Sequence, residues 1–138
     1  MVMTPAELQC TRESLGLSVE TLSRLIGYDV RRIRRWETGT SWISEPAEGK
    51  ILEVVAATDV AVERLSATQP STLVAYKSDE ELWADLPEFQ PYPAQWHRIV
   101  CRRVQDRVPA ARIRFNFQLD TPDPKRPEGG LPPAAPDR

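Results

Sequence analysis

The chain has 138 residues, a formal net charge of −2 and a sequence pI of about 5.5. This length allows one or two small domains, and the weakly acidic balance excludes a protein coated in basic residues, so any nucleic-acid surface must be local. Cys10 and Cys101 are far apart and give no disulfide framework. No signal peptide is found, and no apolar run approaches the roughly 20 residues that span a bilayer. We therefore expect a soluble, cytoplasmic protein without a membrane segment.

Two short helices are predicted near the start of the chain. Thr4, a following proline and Glu7 form a capping box with proline at the first helical position, and the helix stops at Gly16. Ser18 is placed to cap a second helix that ends at Gly27. Its apolar stripe consists of Leu22, Leu25 and Ile26.

A third helix, over residues 30–38, carries an unusual concentration of arginine. On a helix, one side collects Val30, Ile33, Trp36 and Glu37, and the other collects Arg31, Arg34, Arg35 and Thr38. Asp29 is placed as the N-cap, and Gly39 follows the last turn. Because only a three-residue turn that begins with Gly27 precedes this helix, the pair forms a helix-turn-helix arrangement. Taken alone, the arginine side fits either a solvated charged face or a reader of a duplex groove.

The residues from Leu15 to Gly39 resemble the Xre/Cro, lambda-repressor-like DNA-binding family. The caps, the apolar positions, the turn glycine and the closing Trp-Glu-Thr-Gly fall in register with the usual string of that family. The resemblance covers about residues 4–56. It departs from the family at Val19, where a glutamine that contacts DNA is common, because valine cannot donate that hydrogen bond.

The resemblance implies that helix 30–38 is the recognition helix, with its first residues directed at base edges in the major groove. It places Val30, Arg31 and Arg35 at base-reading positions, where an arginine fork pairs with guanine and valine contacts only a thymine methyl. Phosphates are assigned to Arg32, to Thr38 and to the amide groups near Asp29. The expected DNA-binding set is thus Asp29, Val30, Arg31, Arg32, Arg35 and Thr38.

The remaining residues of the helix are expected to serve the fold. Leu25, Ile33 and Trp36 are expected in the core, Glu37 in a bond within the domain, and Gly39 in a left-handed turn. Arg34 is expected to face solvent and receives no role.

A long helix is predicted from about residue 46 to residue 66, opened by Ser44. Its apolar positions are Ile51, Leu52, Val54, Val55, Val62 and Leu65. The resemblance implies that this last helix of the DNA-binding unit leads toward dimer contacts.

Beyond Pro70 the pattern changes to short elements. Residues 72–76 are β-prone, Ser78 opens a short helix, and a further helix that carries Trp96 begins near Pro93. Residues 112–119 alternate strictly, which predicts a half-buried strand with one apolar face. That face consists of Ile113, Phe115, Phe117 and Leu119. Since two short strands alone are marginal, we expect them to pair and to pack on the Trp96 helix.

No motif for catalysis or for a metal is found in the sequence. His97 and Cys101 stand four residues apart and would place two ligands on one helix face, but no HExxH or CxxC pattern accompanies them. We expect them at the edge of a core, and we expect no metal, no cofactor and no enzymatic activity. The order of elements is also similar to YdiL-like regulators and anti-CRISPR-associated repressors, a resemblance that implies a homodimer made by the C-terminal part.

The sequence therefore predicts a mainly α protein in three parts. A lambda-repressor-like helix-turn-helix domain spans residues 1–69, a small α+β dimerisation or partner region with about two short strands spans 70–119, and a disordered Pro/Gly-rich tail spans 120–138. The favoured function is a sequence-specific transcriptional regulator, acting as a repressor, that binds double-stranded DNA at a palindromic operator as a homodimer. The alternative is a protein-interaction or antitoxin-like module whose C-terminal region binds a protein partner.

Overall fold

The computed structural model describes residues 2–120, and within that range the chain forms six α-helices and one two-stranded sheet. The elements are α1 (Pro5–Ser14), α2 (Val19–Ile26), α3 (Val30–Thr38), α4 (Glu45–Ala67), β1 (Thr72–Ala75), α5 (Asp79–Asp85), α6 (Ala94–Arg107) and β2 (Arg112–Phe115). Short 3₁₀ turns lie at Pro87–Phe89 and Asn116–Gln118. The predicted fold class, mainly α with a small α+β element, is confirmed.

The first four helices begin where the sequence predicts, because polar side chains occupy the free amide groups of their first turns. Thr4 and Glu7 bond reciprocally in a capping box, at 3.1 Å and 2.8 Å. Ser18 accepts from the amide of Thr21 at 3.1 Å, and Ser44 caps α4 in the same way. Each such cap stabilises a helix by about 1 kcal/mol.

Two glycines set the geometry between α2 and the following elements. Gly27 ends α2 with φ of 77°, a left-handed conformation that costs glycine nothing, and Gly39 ends α3 with φ of 82°. The hydroxyl of Ser23 in α2 donates to the carbonyl of Tyr28 in the turn. The tight turn that the sequence predicts between α2 and α3 is therefore present.

The larger of two hydrophobic clusters joins the two halves of the described chain, and the smaller one consists of Tyr76, Leu82 and Ala94. The larger cluster joins residues of the first helices, such as Leu22 and Ile33, to residues of α6, such as Trp96 and Val104. The long helix α4 borders both groups of residues. Its buried residues are Ala47, Ile51, Val54, Thr58, Val62 and Ser66. Leu52, which the sequence pattern counts among its apolar positions, is instead 48% exposed. The boundary predicted at residue 69 remains a prediction, and the residues on its two sides share this core.

Specific contacts connect α6 to the helices before it. The indole N–H of Trp96 donates to the hydroxyl of Thr58 at 2.9 Å, inside the core. At Gly16 a Cβ would lie 2.8 Å from a side-chain carbon of Ile99, so α6 approaches the turn between α1 and α2 very closely. The guanidinium of Arg103 donates to the carbonyl of Ser14 at 2.6 Å.

The two strands pair in parallel, with Thr72 beside Arg112 and Ala75 beside Phe115. The segment between them contains α5 and α6, which provides the crossover that a parallel pair requires. Leu73 of β1 is buried in the same cluster as Trp96. The prediction that the strands pair and pack on the Trp96 helix is confirmed.

The prediction of one strand over residues 112–119 is wrong beyond Phe115. Residues Asn116–Gln118 form a 3₁₀ turn, and Phe117 and Leu119 are 62% and 50% exposed. The reason is the length of the partner: β1 ends at Ala75, and the chain then turns into α5, so the backbone after Phe115 has no strand to pair with. The alternation of apolar residues continues to Leu119, but the paired strand ends at Phe115.

His97 and Cys101 are both buried in the core, with Sγ 3.7 Å from Nδ1. Burial, together with the charge of Arg98, lowers the pKa of His97 to about 4, and burial raises the pKa of Cys101 to about 11. Within residues 2–120, no group of three or more His, Cys, Asp or Glu side chains is arranged to hold a metal ion. In the same part of the chain, no helix is long and apolar enough to cross a membrane. The predicted tail lies, except for Asp120, outside the described residues.

We expect the stability of the fold to fall as the pH falls from 7 to 5. His97 is the only histidine of the chain, and its pKa is about 4 when folded against 6.5 for a free side chain. The unfolded chain therefore binds more protons in this window, which lowers the free energy of unfolding by about 2 kcal/mol. Urea unfolding at the two pH values measures the loss. His97→Phe should remove most of it, and an equal pH dependence in that variant would show that carboxylates are responsible.

Candidate nucleic-acid interface

Helix α3 packs by one face and leaves the other open. Ile33 and Trp36 are buried in the core, and the ring of Trp36 meets that of Tyr28 edge to face at 5.4 Å. Leu25 of α2 is partly buried against the same cluster. These placements confirm the expected packed side of α3. The opposite side is exposed at its arginines.

A bidentate ion pair fixes the C-terminal end of α3 to α1. Arg12 donates through Nε and Nη2 to the two carboxylate oxygens of Glu37, at 2.7 Å and 2.9 Å. Its third nitrogen donates to the carbonyl of Leu17, in the turn that leads to α2, at 2.9 Å. The two side chains are only 13% and 10% exposed. The bonds from Glu37 raise the pKa of Arg12 further above its ordinary value, so the pair stays charged. Glu37 thus bonds within the domain, as expected.

The four arginines of α3 have different surroundings. Arg34 faces solvent, as expected, and there it also forms an exposed ion pair with Glu20 of α2 at 2.8 Å. A hydrogen bond from its own backbone amide lowers the pKa of the Glu20 carboxyl, and the charge of Arg34 lowers it further. Arg32 lies over the ring of Tyr28 at 5.9 Å.

Arg31 and Arg35 lie one turn apart, and both are exposed. Within residues 2–120, neither guanidinium has an ion pair or a side-chain hydrogen bond. These are the two arginines that the resemblance assigns to bases. Their hydrogen-bonding groups are free to meet a ligand.

The remaining predicted residues lie at the two ends of α3. The carboxylate of Asp29 accepts from the amide of Arg31 at 2.7 Å, so it acts as the N-cap. Val30 is half-buried beside it. At the other end, the hydroxyl of Thr38 bonds to the carbonyl of Arg35 at 3.2 Å and to the hydroxyl of Thr40 at 3.0 Å. Asp29 therefore caps α3, and the helix N-terminus that follows it favours negative charge.

A cavity of about 240 Å³ lies beside the arginine face, between α3 and the start of α4. Its lining consists of Arg32, Arg35, Trp36, Ser41, Trp42 and Ser44. The sequence interpretation gave no DNA role to Ser41, Trp42 or Ser44. The sequence feature that could have indicated this position is Ser44, because it caps a helix N-terminus and helix N-termini favour anions. Trp42, which is 59% exposed, continues this surface.

These features define a helix-turn-helix protein: two short helices joined by a glycine turn, the second buried on one side and lined with arginine on the other. Residues 11–65 match the family described as helix-turn-helix. This match over the domain supports its resemblance to the Xre/Cro type. The domain is that of a DNA-binding regulator. Among curated proteins, no match to the chain was found.

Breaking the Arg12–Glu37 pair should destabilise the domain strongly. Glu37→Gln leaves the buried guanidinium without its counter-charge, and removal of one partner of a buried pair costs about 3 kcal/mol. Urea unfolding followed by far-ultraviolet circular dichroism measures the change.

The matched control is Asp106→Asn, which breaks the exposed pair between Arg102 and Asp106. It should leave the unfolding midpoint nearly unchanged, because surface pairs contribute little. Equal effects of the two substitutions would show that the Arg12–Glu37 pair does not hold α3 in place.

Proposed function

We propose that the protein is a sequence-specific transcriptional regulator that acts as a repressor and binds a palindromic operator as a homodimer through α3. One observation carries the proposal: Arg31 and Arg35 present two unpaired guanidinium groups, one helical turn apart, on the open side of a fixed helix. A repressor needs only to occupy its operator, and a dimer of such domains can do so without any further activity.

The contacts are divided between bases and phosphates. Arg31 and Arg35 read base edges, where each fork can pair with the O6 and N7 atoms of guanine, and Val30 touches a thymine methyl. Arg32, Thr38 and the amides beside Asp29 meet phosphates. This assignment fits the weak net charge of the chain, since positive charge is needed only along one short helix.

The cavity beside α3 supports a further phosphate position. Arg32 and Arg35 border it from one side, and the hydroxyls of Ser41 and Ser44 border it from the other. Phosphate oxygens accept hydrogen bonds from both kinds of group. A phosphate seated here would fix the register of α3 along the groove.

A homodimer suits this binding mode, because a two-fold axis presents two copies of α3 to two half-sites about one helical turn apart. We propose that residues 70–119 make the dimer contact. Support comes from Phe117 and Leu119, which remain 62% and 50% exposed at the end of β2 although both are large and apolar.

The DNA proposal is tested first by selecting bound duplexes from a random library and then by mobility-shift titration on the selected site. Arg31→Ala and Arg35→Ala should each weaken binding by about 1–3 kcal/mol and relax the preference at one base pair. Arg32→Ala should weaken all sequences alike and reduce the dependence on salt. The control is Arg102→Ala, on α6, which should bind as the wild type does. Binding that is unaffected in an Arg31→Ala, Arg35→Ala double variant would rule out base contacts by these two arginines.

Sedimentation velocity at micromolar concentration tests the dimer. We expect the wild-type chain to sediment as a dimer and a Phe117→Ser, Leu119→Ser variant to shift toward the monomer, because these side chains lose their apolar contact. Trp42→Ser is the matched control, since it removes an equally exposed aromatic residue from the proposed DNA face. A wild-type monomer, or a dimer that depends on Trp42 instead, would contradict this arrangement.

A further inference from the structure

A pocket of about 680 Å³ lies on the C-terminal side of the molecule, away from the arginine helix. The second half of α4, strand β1, the 3₁₀ turn Pro87–Phe89 and α6 line it, and one side is open to solvent. No residue of α3 is among its lining residues, so it is separate from the proposed DNA face. Pockets that bind small molecules have volumes of about 300–1,000 Å³.

The walls of the pocket are mainly apolar and partly aromatic. Leu73 and Val100 are buried side chains of its floor, and Tyr76 and Phe89 add rings at one side. The rings of Tyr76 and Phe89 lie 5.7 Å and 5.5 Å from that of His97. This surface favours a flat, apolar molecule that can lie against aromatic faces and edges.

One buried polar side chain faces this apolar space without a full set of partners. His97 lines the pocket and is only 4% exposed. Its Nδ1 lies 3.7 Å from Sγ of Cys101, and within residues 2–120 no protein group bonds to Nε2. Nε2 is not among the fully buried atoms that lack a partner, so it keeps some accessible surface, and an imidazole nitrogen at a pocket wall can form a hydrogen bond with a polar atom of a ligand.

The charges around the pocket favour a neutral occupant. Burial lowers the pKa of His97 to about 4, so the imidazole is uncharged near neutral pH. Arg64 and Glu88 also line the pocket, and their opposite charges leave no net sign for an ion to recognise. A charged ligand would lose its hydration without a buried counter-charge.

We infer that this pocket binds an uncharged, mainly aromatic small molecule with one hydroxyl or carbonyl group, which forms a hydrogen bond with Nε2 of His97. The site does not depend on the proposed DNA-binding function, and its tests use no DNA.

Location is tested by fluorescence titration of the full chain with N-phenyl-1-naphthylamine, a neutral apolar probe. Ala61 lines the pocket, so Ala61→Trp fills it and should weaken probe binding by about tenfold or more, equivalent to at least 1.4 kcal/mol. Ala56 lies on the same helix outside the lining, and Ala56→Trp should bind the probe as the wild type does. If Ala61→Trp melts early, Ala57→Trp at the pocket edge serves as the blocking variant.

The polar half of the site is tested by competition between 2-naphthol and naphthalene for the bound probe. The wild type should prefer the naphthol by about fivefold, the usual value of one net hydrogen bond. His97→Phe keeps a ring of similar shape and should remove this preference while it still binds naphthalene. The wild-type comparison needs no variant to fold, so it stands even if His97→Phe is unstable.

Any of three results would overturn the inference. Probe binding that is absent in the wild type, or equal in the Ala61→Trp and Ala56→Trp proteins, would show that the pocket is not a binding site. Equal wild-type affinity for 2-naphthol and naphthalene would show that His97 selects no polar group. Probe binding that is weakened only in the blocking variant would support the location of the site. A preference for naphthol that is lost in His97→Phe would support its hydrogen bond.

Discussion

The bidentate pair between Arg12 and Glu37 is the constraint on which the proposed DNA-binding face depends. Helix α3 has only nine residues, and a helix this short is not stable by itself in water. Ile33 and Trp36 hold its packed side, but apolar packing alone permits it to slide or to rotate. Two parallel hydrogen bonds to a planar guanidinium fix one end in distance and angle. Because the same arginine also bonds to the carbonyl of Leu17, α1, the turn before α2 and α3 share one anchor.

The arginines of α3 show how one residue type serves several purposes within five positions. Arg34 forms an exposed ion pair with Glu20, and Arg32 lies over the ring of Tyr28. This leaves Arg31 and Arg35 with free guanidinium groups on a helix whose orientation is already fixed. A cluster of four mobile cations would attract any phosphate backbone. Two that project from neighbouring turns of a fixed helix can discriminate between bases, since bidentate pairing depends on where the helix places the fork.

Much of this could be predicted from the sequence, because the informative features were local. A capping residue at Thr4, Ser18 or Asp29 acts within its own helical turn, so its effect can be judged without the rest of the fold. The glycine turn and the packed face of α3 are equally local. By contrast, the bond between Arg34 and Glu20 depends on the angle between two helices. The end of β2 depends on the length of β1, which lies forty residues earlier. The alternation of residues 112–119 contains no information about that length.

The buried hydrogen bond between Trp96 and Thr58 shows why the two sequence regions should be considered together. Thr58 lies near the middle of α4, whose first half packs against the helix-turn-helix and whose second half borders the pocket at His97. The same helix contacts both α2 and α6. The long α4 is thus the physical connection between the arginine face and the pocket, although the sequence pattern places its end at a domain boundary.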